Sequence, residues 1–439
     1  SSSGLGGNKR AASAPERYEQ VTYWQIFRQF AVLGWTAFGG PAAHIATFER
    51  VFVQDKRWLS PGVFTEFLAL GQCVSGPTST QMAFAIGIVK KSIPGGLLSG
   101  GMFLHPGFII MSILGGTTGG ALGDPSPIVK ALVAGFTAVA IALVAGAALG
   151  LGKKICTDKV LICINTVAIF VTSYYTASWI MPTLMLLGGA VTVVVYRKKP
   201  FEAEKSEEDS GDVASLGLSM RGGGIVLSSW VCLLLVLLLV ARISGAGLWQ
   251  PMQWFQVFYT AGSLIFGGGQ VLLPLLLDQM TKKTCADCNP WVTEDQFFAG
   301  LAAAQSMPGP LFNFSAYLGA VIAHNASFEP FFGSIVCWIG LFAPGIMLIF
   351  GILPFWGWFR TKKLYKRALP GVNAAAVGLI FTAVFRMTFK AREQSPFPNA
   401  STSIGVLGFT AVQFLRVPAP AAVVSGGVLG LIAHAARLN

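Results

Sequence analysis

Residues Gln72-Cys73-Val74-Ser75-Gly76-Pro77-Thr78-Ser79-Thr80-Gln81 interrupt an apolar run that extends from Phe64 to Val89. A Gly-Pro pair removes a helix hydrogen bond and ends the helix before it. Behind the break stand four side chains with polar oxygens, Thr78 to Gln81. They lie at the start of whatever helix resumes. Such a start has free N–H groups and a positive dipole end, a natural seat for an anion. The same device returns as Gln305-Ser306-Met307-Pro308-Gly309-Pro310-Leu311-Phe312-Asn313-Phe314-Ser315, inside the apolar run Phe297 to Ala323.

Such runs need a medium that accepts them. The 439 residues are 53% hydrophobic and only 11% charged, against about 25% charged residues in soluble domains. The chain reads as an all-α polytopic integral membrane protein. Its 52 glycines fit closely approaching membrane helices. The net charge of +12 does not point to nucleic acid. The basic residues sit at the edges of apolar spans, as in Arg197-Lys198-Lys199, Lys282-Lys283 and Arg360 to Arg367, with no nucleic-acid motif beside them. Five cysteines, Cys73, Cys156, Cys163, Cys232 and Cys337, lie in or beside apolar spans and read as packing residues. Cys285 and Cys288 form a lone C-x-x-C without the second pair that a structural zinc site requires. A local disulfide fits them better than a metal, and no cofactor is implied.

In chain order, residues 1–20 are polar, without the apolar stretch of a cleavable signal peptide, and read as a disordered tail. The first repeat is expected over 21–196. Its first apolar segment, Val21 to Val53, contains Phe38-Gly39-Gly40-Pro41. As one straight helix it would be about 48 Å long, against a bilayer core of roughly 30 Å. It must break, tilt or fold back. Further spans follow near Pro94–Leu122, Ile128–Leu151, Val160–Tyr175 and Ser178–Val195. Residues 197–222 form a mixed-charge linker on the cytoplasmic side, and 223–241 an extra span. The second repeat, 252–437, restores the earlier order.

The two halves superpose as sequence. Phe38-Gly39-Gly40 matches Phe266-Gly267-Gly268, and Trp58-Leu-Ser matches Trp291-Val-Thr. Gln72 then falls on Gln305, Gly76 on Gly309 and Pro77 on Pro310 without a gap, and Pro106-Gly107 corresponds to Pro344-Gly345. This is an internal duplication. Seven apolar segments separate the two starts, and an odd count turns the halves opposite ways. That is the inverted repeat of secondary transporters, whose sites lie at broken helices. If both breaker segments of each half are re-entrant hairpins, the count stays odd. Basic loops at Lys90-Lys91, Lys153 to Lys159, Arg197 to Lys199 and Arg360 to Arg367 place the N-terminus in the cytoplasm. The sequon Asn325-Ala-Ser327 fits the outer face.

Phe38-Gly-Gly-Pro-Ala-Ala-His44, Ser75-Gly-Pro-Thr, Phe266-Gly-Gly-Gly-Gln270 and Met307-Pro-Gly-Pro-Leu, in this order and spacing, resemble the chromate ion transporter family in its long, two-domain form. The resemblance runs from about Tyr23 to the last spans and omits the tail and the linker. It implies export of chromate from the cytoplasm across the plasma membrane, with sulfate as the look-alike oxyanion. Composition and spacing by themselves imply only an anion site between inverted repeats.

Within that site, Ser75, Gly76, Thr78, Ser79, Thr80 and Gln81 are candidate anion ligands, though Thr78 to Gln81 also suit helix capping. Asn313 and Ser315, with Gly309, are their counterparts in the second half. Gln72 and Gln305 precede each break and either bind substrate or satisfy backbone groups freed there. Gly39, Gly40, Gly267, Gly268, Gly269 and Gln270 would offer backbone N–H groups, or serve helix contact. Pro41, Pro77, Pro308 and Pro310 are breakers. Intramembrane ionisable residues default to function, and here they are Glu66, His44, His105, Asp278 and Arg386. His44 and Glu66 are candidates for a coupling proton, each also readable as a paired or interfacial residue. Arg386, near a span end, is expected to snorkel.

Without a G-x-x-x-x-G-K-S/T loop, nucleotide does not drive transport directly. A passive anion channel uses the same helix ends. A membrane enzyme on phosphate-bearing lipids needs a nucleophile or metal beside an acid or base, and only His44 and Glu66 stand near the first break. Gly-rich faces allow a homodimer as well as a monomer.

Overall fold

Several helices in this chain begin where a capping residue precedes an apolar run. Ser60 accepts the Val63 N–H and Pro61 occupies the first turn of the next helix. Thr293, its counterpart in the duplication, closes a reciprocal capping box with Gln296. The recurring Trp-x-Ser/Thr is therefore a helix start, with the hydroxyl satisfying an amide that the helix leaves open.

The computed structural model describes residues 21–37, 40–118, 126–175, 180–198, 219–244, 249–265, 272–281, 290–356 and 362–436. Every regular element among them is helical. The first half comprises α1 (Tyr23–Thr36), α2 (Gly40–Phe48, continued by a π-helical stretch, Glu49–Asp55), α3 (Pro61–Cys73), α4 (Thr78–Thr118), α5 (Pro127–Ile155), α6 (Lys159–Tyr174) and α7 (Ile180–Val195). Helix α8 (Met220–Ser244) stands between the halves. The second half comprises α9 (Gln250–Leu264), α10 (Leu272–Thr281), α11 (Glu294–Ser306), α12 (Phe314–Asn325), α13 (Pro330–Ile352), α14 (Lys363–Gln394), α15 (Pro398–Gln413) and α16 (Ala419–Ala435).

Among the described residues five helices are long and apolar enough to cross a membrane: α4, α5, α8, α13 and α14. Helix α4 is not one rod. Lys91 and Ser92 leave helical geometry, with Ser92 at φ 54°, and Gly87 lies backbone to backbone against Gly95. Its arms, 78–90 and 93–118, form a tight antiparallel hairpin that matches the pair α12 and α13. On α8, Ile225, Leu235 and Leu239 are largely exposed, as a helix facing hydrocarbon requires. The protein is an integral membrane protein.

The helices flanking each break are short. α1, α3, α9, α10, α11 and α12 hold between 10 and 15 residues, so none exceeds about 23 Å, less than the bilayer core of roughly 30 Å. Two of these segments visibly double back. Phe30 of α1 stacks on Phe52, beyond the Phe38-Gly-Gly-Pro break, at 4.9 Å. Gln296 at the start of α11 hydrogen-bonds Asn325 at the end of α12. Folding back, rather than tilting, is how the over-long first segment is accommodated.

Around these hairpins the halves exchange their last helices. α14 packs on α6 and α7 of the first half, while α5 packs on α15 and α16 of the second. Glycines allow the approach: a Cβ on Gly371 would lie 1.9 Å from the Gly188 carbonyl oxygen, and one on Gly135 2.2 Å from that of Gly426. Arg386, expected to snorkel, has protein partners as well. Its guanidinium donates to the Thr172 carbonyl and pairs with Asp278 at 3.7 Å. Two of the five intramembrane ionisable residues thus answer each other. Of the cysteines read as packing residues, Cys337 is buried and Cys156 half-buried, but Cys163 and Cys232 are exposed on outward helix faces. On an apolar helix turned toward hydrocarbon, a residue needs no protein contact to be accommodated.

The tail 1–20, most of the linker, and Cys285 and Cys288 lie outside the described residues. Gly371→Ala is expected to cost about 1–3 kcal/mol of stability by overpacking the α7–α14 crossing. Gly101→Ala, where a Cβ meets nothing within 4 Å, leaves the melting temperature in detergent unchanged or raised.

Candidate functional site

Two glycines shape the site. Helix α3 stops at Cys73, and Gly76 takes φ +118° before Pro77. In the second half Gly309 takes φ +91° between Pro308 and Pro310. Positive φ is cheap only for glycine, and it turns each glycine N–H out of its own chain. Gly76 N–H donates to the Ile265 carbonyl at 2.9 Å, and Gly309 N–H donates to the Ala37 carbonyl at 2.9 Å. Each acceptor immediately precedes the Phe-Gly-Gly of the opposite half. The breaks therefore meet crosswise, first with fourth and second with third.

His44 of α2 ties the two pairs together. Its Nε2 lies 3.0 Å from the Ala37 carbonyl oxygen, and its Nδ1 lies 3.3 Å from Ser79 Oγ. The ring is fully buried and Phe103 covers it edge-on at 5.5 Å. The Pro-Gly pairs of the long helices close the site from both sides. A Cβ on Gly76 would lie 3.0 Å from Gly345 Cα, and a Cβ on Gly107 2.2 Å from Asn313 Nδ2.

The polar side chains divide into used and unused. Thr78 Oγ1 donates to the Gly71 carbonyl at 3.0 Å, holding the end of α3. Gln81 Nε2 donates to the Ser75 carbonyl at 2.7 Å and reaches that of Gly345 at 3.5 Å. Asn313 is fully engaged, donating to the Leu104 carbonyl and accepting from Trp338 Nε1 at 2.9 Å. Ser315 donates to the Phe312 carbonyl. By contrast Ser75 Oγ, Thr80 Oγ1, Gln81 Oε1 and Gln305 Nε2 are buried without a hydrogen-bond partner. An orphaned buried polar group costs about 1–3 kcal/mol, and natural structures rarely tolerate one without a reason. Six such side-chain atoms occur among the described residues, and four of them stand at the two Gly-Pro breaks.

Helix α4 begins at Thr78, beside Ser75 and Thr80. Its first-turn N–H groups have no partner within the helix. The buried hydroxyls and the first-turn amides together make a neutral, donor-rich cluster. Such a cluster compensates negative charge through dipoles. No group of three or more His, Cys, Asp or Glu side chains able to hold a metal occurs among the described residues. Two apolar grooves elsewhere, of 260 and 420 Å3, open on outer helix faces and lack this donor set.

Some sequence candidates remain unplaced. Gly39, Gly267, Gly268, Gly269 and Gln270 lie outside the described residues, as do the side chains of Gln72 and Glu66. Gly40 opens α2, with Pro41 in its first turn. His105 is exposed on α4, next to the Pro106-Gly107 pair. Asn325 spends its amide nitrogen on the Trp291 carbonyl and Gln296, so the sequon doubles as a hairpin clasp. The role of Trp338 escaped the sequence, because nothing in an apolar helix marks which indole meets a distant amide.

Residues 24–194 and 252–431 match the sequence profile of the chromate transporters. The chain belongs to the chromate transporter family. The profile leaves out the linker and α8 and covers the rest of both halves. A chromate transport protein of Pseudomonas aeruginosa is 27% identical over 419 residues, 88% of this chain and 86% of that protein. A chromate transport protein of Cupriavidus metallidurans is 26% identical over 438 residues, 97% and 96% of the two chains. A probable chromate transport protein of Synechococcus elongatus is 26% identical over 428 residues, 93% and 95% of the two. No solved structure matches the chain.

The two turn glycines differ in their surroundings, which orders their substitutions. Gly76→Ala meets both positive φ and backbone at 3.0 Å, whereas a Cβ on Gly309 meets nothing closer than 3.4 Å. Positive φ alone costs about 1–2 kcal/mol. Thermal unfolding in detergent should therefore show Gly76→Ala as the more destabilised; equal losses would remove the contact with Gly345 from the account.

Proposed function

We propose that this transporter-family protein carries chromate, or a tetrahedral oxyanion of like shape such as sulfate, outward across the plasma membrane. The anion sits at the start of α4. The observation that carries this reading is the pair of orphaned hydroxyls, Ser75 Oγ and Thr80 Oγ1, beside the open first-turn amides of that helix. Both hydroxyls can donate to an oxyanion oxygen, and burial strengthens each bond by excluding water. The names of the relatives, chromate transport proteins along most of the chain, supply the anion.

The crosswise backbone bonds give the site its means of opening. The breaker hairpins of both halves meet at Gly76–Ile265 and Gly309–Ala37. With breaker segments folded back, the crossings between the two starts remain odd. The halves then face opposite sides, with an N-terminus in the cytoplasm. Rocking one half against the other would expose the site to each side in turn. The negative-inside potential itself favours moving an anion outward.

Radiolabelled chromate flux in proteoliposomes, competed with sulfate, tests the reading. Ser75→Ala with Thr80→Val is expected to reduce flux about tenfold or more, since each donor to a charged group is worth roughly 1.5–3 kcal/mol. The same variant should keep or raise its melting temperature, because it deletes orphaned groups. Undiminished flux from folded variant protein would move the anion elsewhere.

A further inference from the structure

The bonds of His44 determine which nitrogen titrates. A carbonyl oxygen only accepts, so Nε2, at 3.0 Å from the Ala37 oxygen, carries a hydrogen in either charge state. Nδ1, facing Ser79 Oγ, is the position that gains or loses a proton. In the neutral ring Nδ1 is a bare acceptor and takes the Ser79 O–H. In the imidazolium Nδ1–H donates to Ser79 Oγ, and the Ser79 hydrogen must turn to another acceptor. Ser79 is the second residue of α4, next to the orphaned Thr80 hydroxyl.

We infer that His44 and Ser79 form a proton switch for the anion site: protonation of His44 releases the Ser79 hydroxyl to donate to the bound oxyanion. The inference rests on the reading of the α4 start as the anion seat. Anion and proton then bind together. The protein takes up one proton from solution per dianion, no covalent bond changes, and the added charge is reduced from minus two to minus one. Linkage makes the effect mutual, so bound anion also raises the affinity of His44 for its proton.

Among the described residues no charged side chain bonds to the ring or covers it, so the charge that would hold its proton arrives with the anion. Both hydrogen-bond partners and the covering Phe103 are neutral. Helix α2 packs on its π-helical continuation and on α4, and through Phe48 on Phe30 of α1. On the first, Glu49, Arg50 and Asp55 are exposed; on α4, His105 is exposed, and Lys90 and Lys91 stand at the far end of the 78–90 arm; on α1, Arg28 is exposed. The second half holds no copy of the switch, since Leu272 occupies the position of His44 and Phe312 that of Ser79.

The test is calorimetry of chromate binding to the full chain, at a pH alkaline enough to keep free chromate dianionic. Running it in two buffers of different ionisation enthalpy counts the protons taken up. The native protein is expected to take up about one proton per anion. His44→Gln keeps an amide donor for the Ala37 carbonyl and should bind about tenfold more weakly or worse, with no uptake. Ser79→Ala keeps the imidazole but lacks the hydroxyl, and should lose the uptake too. It carries the test if His44→Gln fails to fold. Unchanged uptake in either folded variant, or native binding without uptake, overturns the switch while leaving the anion seat intact. A native protein that binds no chromate at any pH overturns both.

Discussion

Two backbone hydrogen bonds, Gly76 to Ile265 and Gly309 to Ala37, are what the rest of the structure depends on. A broken helix inside a bilayer leaves amides and carbonyls that no water can satisfy, each worth several kcal/mol. Here each break supplies what the other half lacks. Each half thereby satisfies a backbone N–H at the other's break. Both donors sit at positive φ, a conformation cheap only for glycine.

Around that crossing the outer helices form a frame. The exchange of α6 and α7 against α14, and of α15 and α16 against α5, interlocks the halves far from the breaks. Gly188 with Gly371 and Gly135 with Gly426 bring backbones together where apolar medium offers no hydrophobic drive to do so. The Arg386–Asp278 pair and the Thr172 carbonyl bind α14 to α10 and α6.

The halves are alike in backbone and unlike in chemistry. Thr78-Ser79-Thr80-Gln81 of the first half is answered by Leu311-Phe312-Asn313-Phe314. In the second half Asn313 is consumed by Trp338 and Leu104, and the phenylalanines are buried in the core. One break keeps free hydroxyls at a helix start, while the other fills the same space with rings. Such asymmetry suits a single anion seat beside a structural counterpart, and it leaves His44 as the lone buried imidazole at the crossing among the described residues.

Much of this was legible in the sequence because the signals are local. Apolar runs, Gly-Pro breaks, the Trp-x-Ser/Thr caps and the register of the duplication each depend on residues within a turn or two of one another. So did the motifs that resemble the chromate transporter family. The pairing of breaks, the folding back of the first segment onto Phe30, the partner of Arg386 and the employment of Asn313 were settled only by tertiary structure. Several of these contacts join positions more than two hundred residues apart, and a side chain such as Thr78 or Thr80 reads identically whether a distant carbonyl occupies it or not. The chain determined where helices must stop; the packing of one half against the other decided which polar groups at those stops remain free.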